Sequence, residues 1–342
     1  MVTDRRQLET ALREELDERE AGAFVAVGPG TAPAIRYCLP DAFDHTVAIA
    51  VDGGGFLEVT AASNHPAERL AARLDERGTE GPLLTPRTIP HDAALYLEAA
   101  GFSVASSDVL SRARARKTAD ELACIESVQA AATAGLERAR SMLSDATVAD
   151  GSLEIDGEIL TGEGVRRAID EAIVTAGGFP AGNTAVGAGG RDGSDPLSAG
   201  EPIVLATAPY GPEGYHAGLV RTIVVDGDGG RERRAHVAAD SALKSAATML
   251  RAGEQSVEAV EGDLEAEVMA FGFEEGIDAT VSGVGLEPRE RPGRGDAITE
   301  GSVVRLEAAV EDDAFGSVRL AELVVVDGGT RVLESPSRSL RP

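Results

Sequence analysis

The sequence predicts an α+β fold in two domains. Three observations carry that expectation. A length of 342 residues exceeds one typical core. Runs of β-branched residues alternate with stretches whose apolar residues recur at helical spacing. The stretch from Pro202 to Val225 reads as a β-hairpin, because Ile203–Leu205 and Leu219–Val225 have strand character while Pro209, Gly211, Pro212 and Gly214 supply turn chemistry between them.

In chain order, Leu8, Leu12 and Leu16 mark a first amphipathic helix behind Thr3 or Asp4 as N-cap. Ala23–Val27, Thr46–Val51 and Phe56–Val59 read as strands, broken by Gly28-Pro29-Gly30 and by Gly53–Gly55. Helical patterns follow around Ala67–Leu74 and Ala93–Ala100. Thr118 with Glu121 forms a capping box ahead of a long helix whose face is Leu122, Ile125, Val128, Ala132, Leu136 and Ala139. Val165, Ile169, Ala172 and Ala176 predict a further helix ended by Gly177-Gly178. Another carries Ala239, Leu243, Ala246 and Leu250 and stops at Gly253. The last carries Val257, Val260, Leu264, Val268 and Phe271 behind Ser256 as N-cap.

Composition excludes several functions. Lys+Arg 32 against Asp+Glu 58 gives a net charge of -26, and Lys117 and Lys244 are the only lysines. Such a composition resembles that of a salt-adapted cytoplasmic protein, and the absence of a basic stripe argues against direct nucleic-acid binding. Cys38 and Cys124 form no CxxC and no Cys/His cluster, so neither a zinc knuckle nor a disulfide framework is expected. No uninterrupted run approaches the roughly 20 apolar residues of a membrane span, and the expectation is a cytoplasmic protein without membrane contact. The glycine run Gly187-Ala188-Gly189-Gly190 lacks the strand–loop–helix context of a dinucleotide site. His45, His65, His91 and His236 show no partnered pattern and are read as structural or exposed.

Several segments share motifs with one family. Gly214-Tyr215-His216-Ala217-Gly218-Leu219-Val220-Arg221-Thr222 resembles a GY-x-x-D-x-x-RT signature. Ser282-Gly283-Val284-Gly285-Leu286-Glu287-Pro288-Arg289-Glu290-Arg291-Pro292 resembles H-G-I-G-L-x-x-H-E-x-P. Val303–Ala308 resembles a strand ending in Glu-Pro, and Gly316–Glu322 resembles G-v-R-i-E-d. Ala34-Ile35-Arg36-Tyr37 resembles an amino-terminal NIRY passage, and the segment from Arg112 resembles the opening of the second domain, with Lys117 and Glu121 in step. These are the motifs of the pita-bread metallopeptidases, the family of aminopeptidase P, prolidase, methionine aminopeptidase and the metal-free creatinase. The resemblance implies a creatinase-type amino-terminal α/β domain over residues 1–113 followed by a pita-bread domain over 114–342, and relatives that often dimerise imply a homodimer.

The resemblance also implies a chemistry, which this sequence departs from. The family holds two divalent ions such as Mn, Co or Zn with two Asp, one His and two Glu, because two close dications need several carboxylates to neutralise them. Here those five positions are Thr207, Gly218, Ser282, Glu307 and Ala321, of which Glu307 alone keeps a ligand. A substrate-side histidine becomes Arg289, and Gly190–Pro196 lacks the histidine that many members carry ahead of the hairpin. The expectation is therefore a prolidase-like or Xaa-Pro aminopeptidase-like protein without bound metal and without catalysis, its cleft reused for a peptide-like ligand or a partner. The alternative is an active Xaa-Pro metallo-aminopeptidase, or another hydrolase with an unorthodox site. The cleft candidates are His216, Arg289, Glu307 and Arg319. A buried unpaired carboxylate is costly, so Glu307 is expected to pair with Arg289 or Arg319, with Arg305 as a further candidate and Gly218, Ala206 and Ala321 leaving space beside it.

Overall fold

The computed structural model describes residues 5–39, 45–60, 64–188 and 193–342. The chain divides into two compact units, Met1–Asp120 and Glu121–Pro342. The sequence-based boundary lies at 113/114. The N-cap expected at Thr3 or Asp4 and part of the glycine run, Gly189 and Gly190, lie outside the described residues, as do Arg191 and Asp192.

In the first unit, α1 (Arg5–Glu18), β1 (Ala23–Pro29), α2 (Pro33–Cys38), β2 (Thr46–Asp52) and β3 (Gly55–Thr60) are followed by α3 (Pro66–Glu76), β4 (Leu83–Thr85), α4 (His91–Ala99), β5 (Val104–Ser106) and α5 (Val109–Arg114). The strands form one sheet in the order β3-β2-β1-β4-β5. β1 is antiparallel to β2 and parallel to β4, which makes this a mixed sheet. Leu8, Leu12 and Leu16 are buried on one face of α1, as their spacing predicts. β1 runs through Gly28 to Pro29 instead of ending at Val27, since Gly28 and Pro29 still pair with Val47 and Thr46. His65 has a structural part: its Nδ1 accepts from the Ala67 N–H at 3.2 Å and caps α3.

The second unit begins on α6 (Ala119–Asp145) and continues with β6 (Thr147–Ala149), β7 (Ser152–Ile155), β8 (Glu158–Ile159), α7 (Gly162–Thr175), β9 (Ala185–Ala188), β10 (Ile203–Thr207) and β11 (Leu219–Ile223). Then come α8 (Arg231–Arg251), β12 (Gln255–Ser256), α9 (Val257–Ala270), β13 (Ile277–Gly283), β14 (Ala297–Ile298), β15 (Val303–Asp312), β16 (Gly316–Val326) and β17 (Thr330–Val332). Its main sheet has the order β13-β15-β16-β11-β10-β9, with β17 also on β16. Residues 306, 308, 310, 318 and 320 of β15 and β16 are buried with Ala239, Leu243, Val260 and Leu264 of α8 and α9. Ile203, Leu205, Leu219 and Ile223 are buried with Leu136, Val165 and Ile169 of α6 and α7. Strand alternation then leaves residues 305, 307, 309, 319 and 321 on the face turned away from α8 and α9.

The predicted helices are present, with small differences. Ser256 Oγ accepts from the Ala259 N–H at 3.1 Å and caps α9. On α6, Leu122 is only partly buried, and on α7 the buried residue of the last turn is Ile173 rather than Ala172. The meander β6-β7-β8 was not expected. Its turns are Asp150-Gly151 and Asp156-Gly157, all four at positive φ, between the pairs Ala149↔Ser152 and Ile155↔Glu158. That is the two-residue hairpin turn that Asp-Gly favours.

Candidate functional site

The site is built on one row across the main sheet. Directly paired residues of antiparallel neighbours share a face, and the pairing Ala206↔Val220, Val220↔Ala321, Glu307↔Ala321 and Thr280↔Glu307 sets five residues side by side. Arg305 lies two residues before Glu307 on the same face, and Arg319, opposite Ala309, stands diagonal to it.

Glu307 is 1% exposed and three guanidinium groups meet it. Arg319 Nη2 donates to its Oε1. Arg305 Nη2 lies 2.9 Å from its Oε2. Arg289, on the loop after β13, reaches within 3.9 Å of the same oxygen. Burial pushes the Glu307 pKa up, but the charges of Arg305 and Arg319, the Arg319 hydrogen bond and the Arg289 charge outweigh it, so the carboxyl sits below its ordinary value and is ionised at neutral pH. Burial pulls Arg305 below the ordinary arginine value, with Glu307 opposing and Arg289 and Arg319 adding to the drop. It remains a cation at neutral pH all the same.

The pairing expected of Glu307 is thus present, and Arg305, which the motif comparison ranked behind Arg289 and Arg319, is the most deeply placed of the three. Period-two alternation places 305 and 307 on one face, and this signal could have ranked it first. The space expected at Gly218 is not there. A Cβ at that position would stand 2.8 Å from the Thr207 carbonyl oxygen and 3.1 Å from Ala208 Cβ, so the backbone of the hairpin has closed where the family carries an Asp. The Gly218 N–H donates to Gln129 Oε1 at 3.3 Å.

The other vacated positions carry neutral side chains. Thr207 is buried one row away, paired with Leu219, and its hydroxyl lies 3.1 Å from Thr184 Oγ1. Ala321 is fully buried opposite Glu307, and Ser282 lies opposite Arg305. His216 lies in the loop between β10 and β11. Its N–H donates to Gly285 O at 2.7 Å and its Nδ1 lies 3.5 Å from Ala208 O. Burial lowers its pKa, against the opposing charges of Glu290 and Glu287.

These residues do not fit a pair of dications. Among the described residues no group of three or more His, Cys, Asp or Glu is placed to hold a metal ion. The retained carboxylate already faces three positive charges, which would repel an incoming cation. The family model of metallopeptidase family M24 matches residues 123–328. The chain belongs to metallopeptidase family M24. No curated relative matches its sequence. Among solved structures, the M24 fold of this chain is similar to an Xaa-Pro dipeptidase from Bacillus anthracis, at 14% identity and a TM-score of 0.84 over 99% of each chain. It is also similar to a prolidase from Pyrococcus horikoshii OT3, at 17% identity and a TM-score of 0.81 over 97% of this chain and 99% of that one. An X-Pro aminopeptidase from Thermotoga maritima MSB8 matches at 15% identity and a TM-score of 0.78, over 96% and 99%. The expected α+β, prolidase-like pita-bread fold is therefore the fold of this chain.

The site also shows what lies behind it. Glu322, next to Ala321, turns to the opposite face as alternation predicts, where Arg221 Nη2 donates to it at 2.7 Å. Arg221, the arginine of the RT motif, is buried and ties the sheet to the carboxy-terminal segment through the Pro336 carbonyl. No helix among the described residues is long and apolar enough to cross a membrane.

Proposed function

We propose that this chain is an M24 protein that does not cleave Xaa-Pro peptides through a dinuclear metal centre, and that its cleft binds a peptide-like ligand instead. The observation that carries this reading is the occupation of Glu307: the last carboxylate at a metal-ligand position serves as counter-ion to Arg305, Arg319 and Arg289. One carboxylate does not offset the desolvation of two dications, and this one is ion-paired before any metal arrives. The closed backbone at Gly218 supports the same reading, because restoring an Asp there requires the Thr207–Ala208 segment to move. The peptide-like class of ligand rests on the fold, whose similar solved structures carry the names of peptidases. The test is turnover of an Xaa-Pro peptide by the full chain in Mn-containing buffer. No release of the N-terminal residue is expected. Steady release that a chelator abolishes and Mn restores would overturn the reading.

A further inference from the structure

The arginines around Glu307 outnumber the carboxylate they serve. Arg305, Arg319 and Arg289 bring three positive charges to the single carboxylate of Glu307, while Glu287 and Glu290 lie on the loop that carries Arg289, in a chain whose net charge is -26. Each guanidinium carries five N–H donors, while a carboxylate accepts at about four lone-pair sites. Three guanidinium groups therefore offer far more donors than one carboxylate can accept. Arg305 Nε, Arg319 Nε and Glu307 Oε2 are all buried and make no hydrogen bond, so the cluster is incompletely matched on both sides, and a buried polar group without a partner is costly.

Exposure gives the cluster a direction. The Glu307 side chain is 1% exposed, Arg305 11%, Arg319 33% and Arg289 63%, so the guanidinium groups lead from the buried carboxylate outward to solvent. Thr280, opposite Glu307, and Ser282, opposite Arg305, are half-buried on the same face and add neutral hydroxyls. Four of the five metal-ligand positions carry neutral residues, and the same face of the sheet presents a surplus of planar cationic donors, which match a carboxylate through paired N–H···O bonds.

We infer that this cluster is an anion site that takes a dicarboxylate, such as an acidic peptide, with one carboxylate against Arg305 and Arg319 and the other against Arg289. The inference rests on the reading of the cleft as a ligand site and names the chemistry of its ligand. The excess of guanidinium groups over the Glu307 carboxylate calls for an anionic occupant, and Arg289, open to solvent at the outer end, gives a second carboxylate of a longer ligand a partner of its own. Long-range repulsion from the acidic surface does not prevent this, since the Debye length falls to about 3 Å at 1 M salt.

The experiment is calorimetric titration of the full chain with succinate, the dipeptide Ala-Glu, its neutral counterpart Ala-Gln, and inorganic phosphate, at constant ionic strength. Succinate and Ala-Glu are expected to bind, and Ala-Gln to bind at least about tenfold more weakly, the scale of one lost charged contact. Arg289→Gln and Arg319→Gln should each weaken Ala-Glu by at least about tenfold, whereas Arg294→Gln, whose partner is Glu261, should not change it. Circular dichroism shows that each variant is folded before it is titrated. No saturable binding of either dicarboxylate, binding insensitive to the Arg289 and Arg319 changes, or binding of phosphate alone would each overturn the inference. The turnover assay with Mn bears on the metal-free reading, and the arginine-variant titrations bear on this site, so the two fail separately.

Discussion

Glu307 and Glu322 are both buried carboxylates on adjacent strands of one sheet, and both have arginine partners, yet the two clusters are built in opposite ways. Behind the sheet, Arg221 is fully occupied. It donates to Glu322 at 2.7 Å, to the carbonyls of Val220 and Ala321 at 2.8 and 3.0 Å, and twice to that of Pro336 at 3.2 and 3.0 Å. Arg338 and Ser335 add contacts to Glu322 at 3.5 and 3.3 Å. On the other face, Arg305 and Arg319 surround Glu307 with buried Nε donors that have no acceptor; the difference lies in the arginines, since Glu307 Oε2 and Glu322 Oε2 alike make no hydrogen bond. Occupied donors mark a structural clamp that fastens the carboxy-terminal segment to the sheet. Unmatched donors of surplus charge are the ground on which the anion site is proposed.

Variants at the two clusters should separate these roles. The largest effect is expected from Arg221→Met, which leaves Glu322 buried beside a group that cannot pair with it and strips several carbonyls of their donor. A loss of about 3–5 kcal/mol in denaturant unfolding is expected. Glu307→Gln should cost less, about 1.5–3 kcal/mol, because Arg319 and Arg289 reach toward solvent and the glutamine oxygen can still accept from Arg305. Arg289→Gln, exposed and 3.9 Å from its partner, should change stability by at most about 1 kcal/mol. Equal losses at Arg221 and Arg289 would break the comparison.

The acid side of the stability curve sharpens it further. The Glu307 pKa is lowered in the folded chain, so the unfolded chain binds the proton more readily. Its contribution is present above the unfolded carboxylate value of about 4.3 and is lost as pH falls through the lower folded value. Burial instead pushes Glu322 up, with Arg221 and Arg338 opposing, so its contribution is full below the unfolded value and is lost as pH rises through the folded one. Wild type should therefore gain on Glu307→Gln as pH rises through the acid limb and yield ground to Glu322→Gln as pH rises above it. Parallel pH profiles for the two variants would contradict the assignment.

Much of this was legible before any coordinates. The motif around Glu307 located the surviving carboxylate, and its isolation demanded a cation. Alternation placed Glu322 on the other face. What escaped the sequence depends on backbone approach and on competition among near-equal partners. Gly218 reads as a vacancy, and only the position of the Thr207 carbonyl makes it a closed one. Arg305, Arg319 and Arg289 all satisfy the demand for a cation, and burial decides their order. The β6-β7-β8 meander was missed although its Asp-Gly turns stand in the sequence, because strands as short as Glu158–Ile159 carry no periodicity of their own.

The central claim is that Glu307 is a counter-ion rather than a metal ligand, and metal content tests it most directly. The full chain is equilibrated with excess Mn, desalted and assayed for metal per chain. The account predicts far less than one equivalent retained, in wild type and in Glu307→Gln alike. Retention of about two equivalents by wild type, lost in Glu307→Gln, would contradict it.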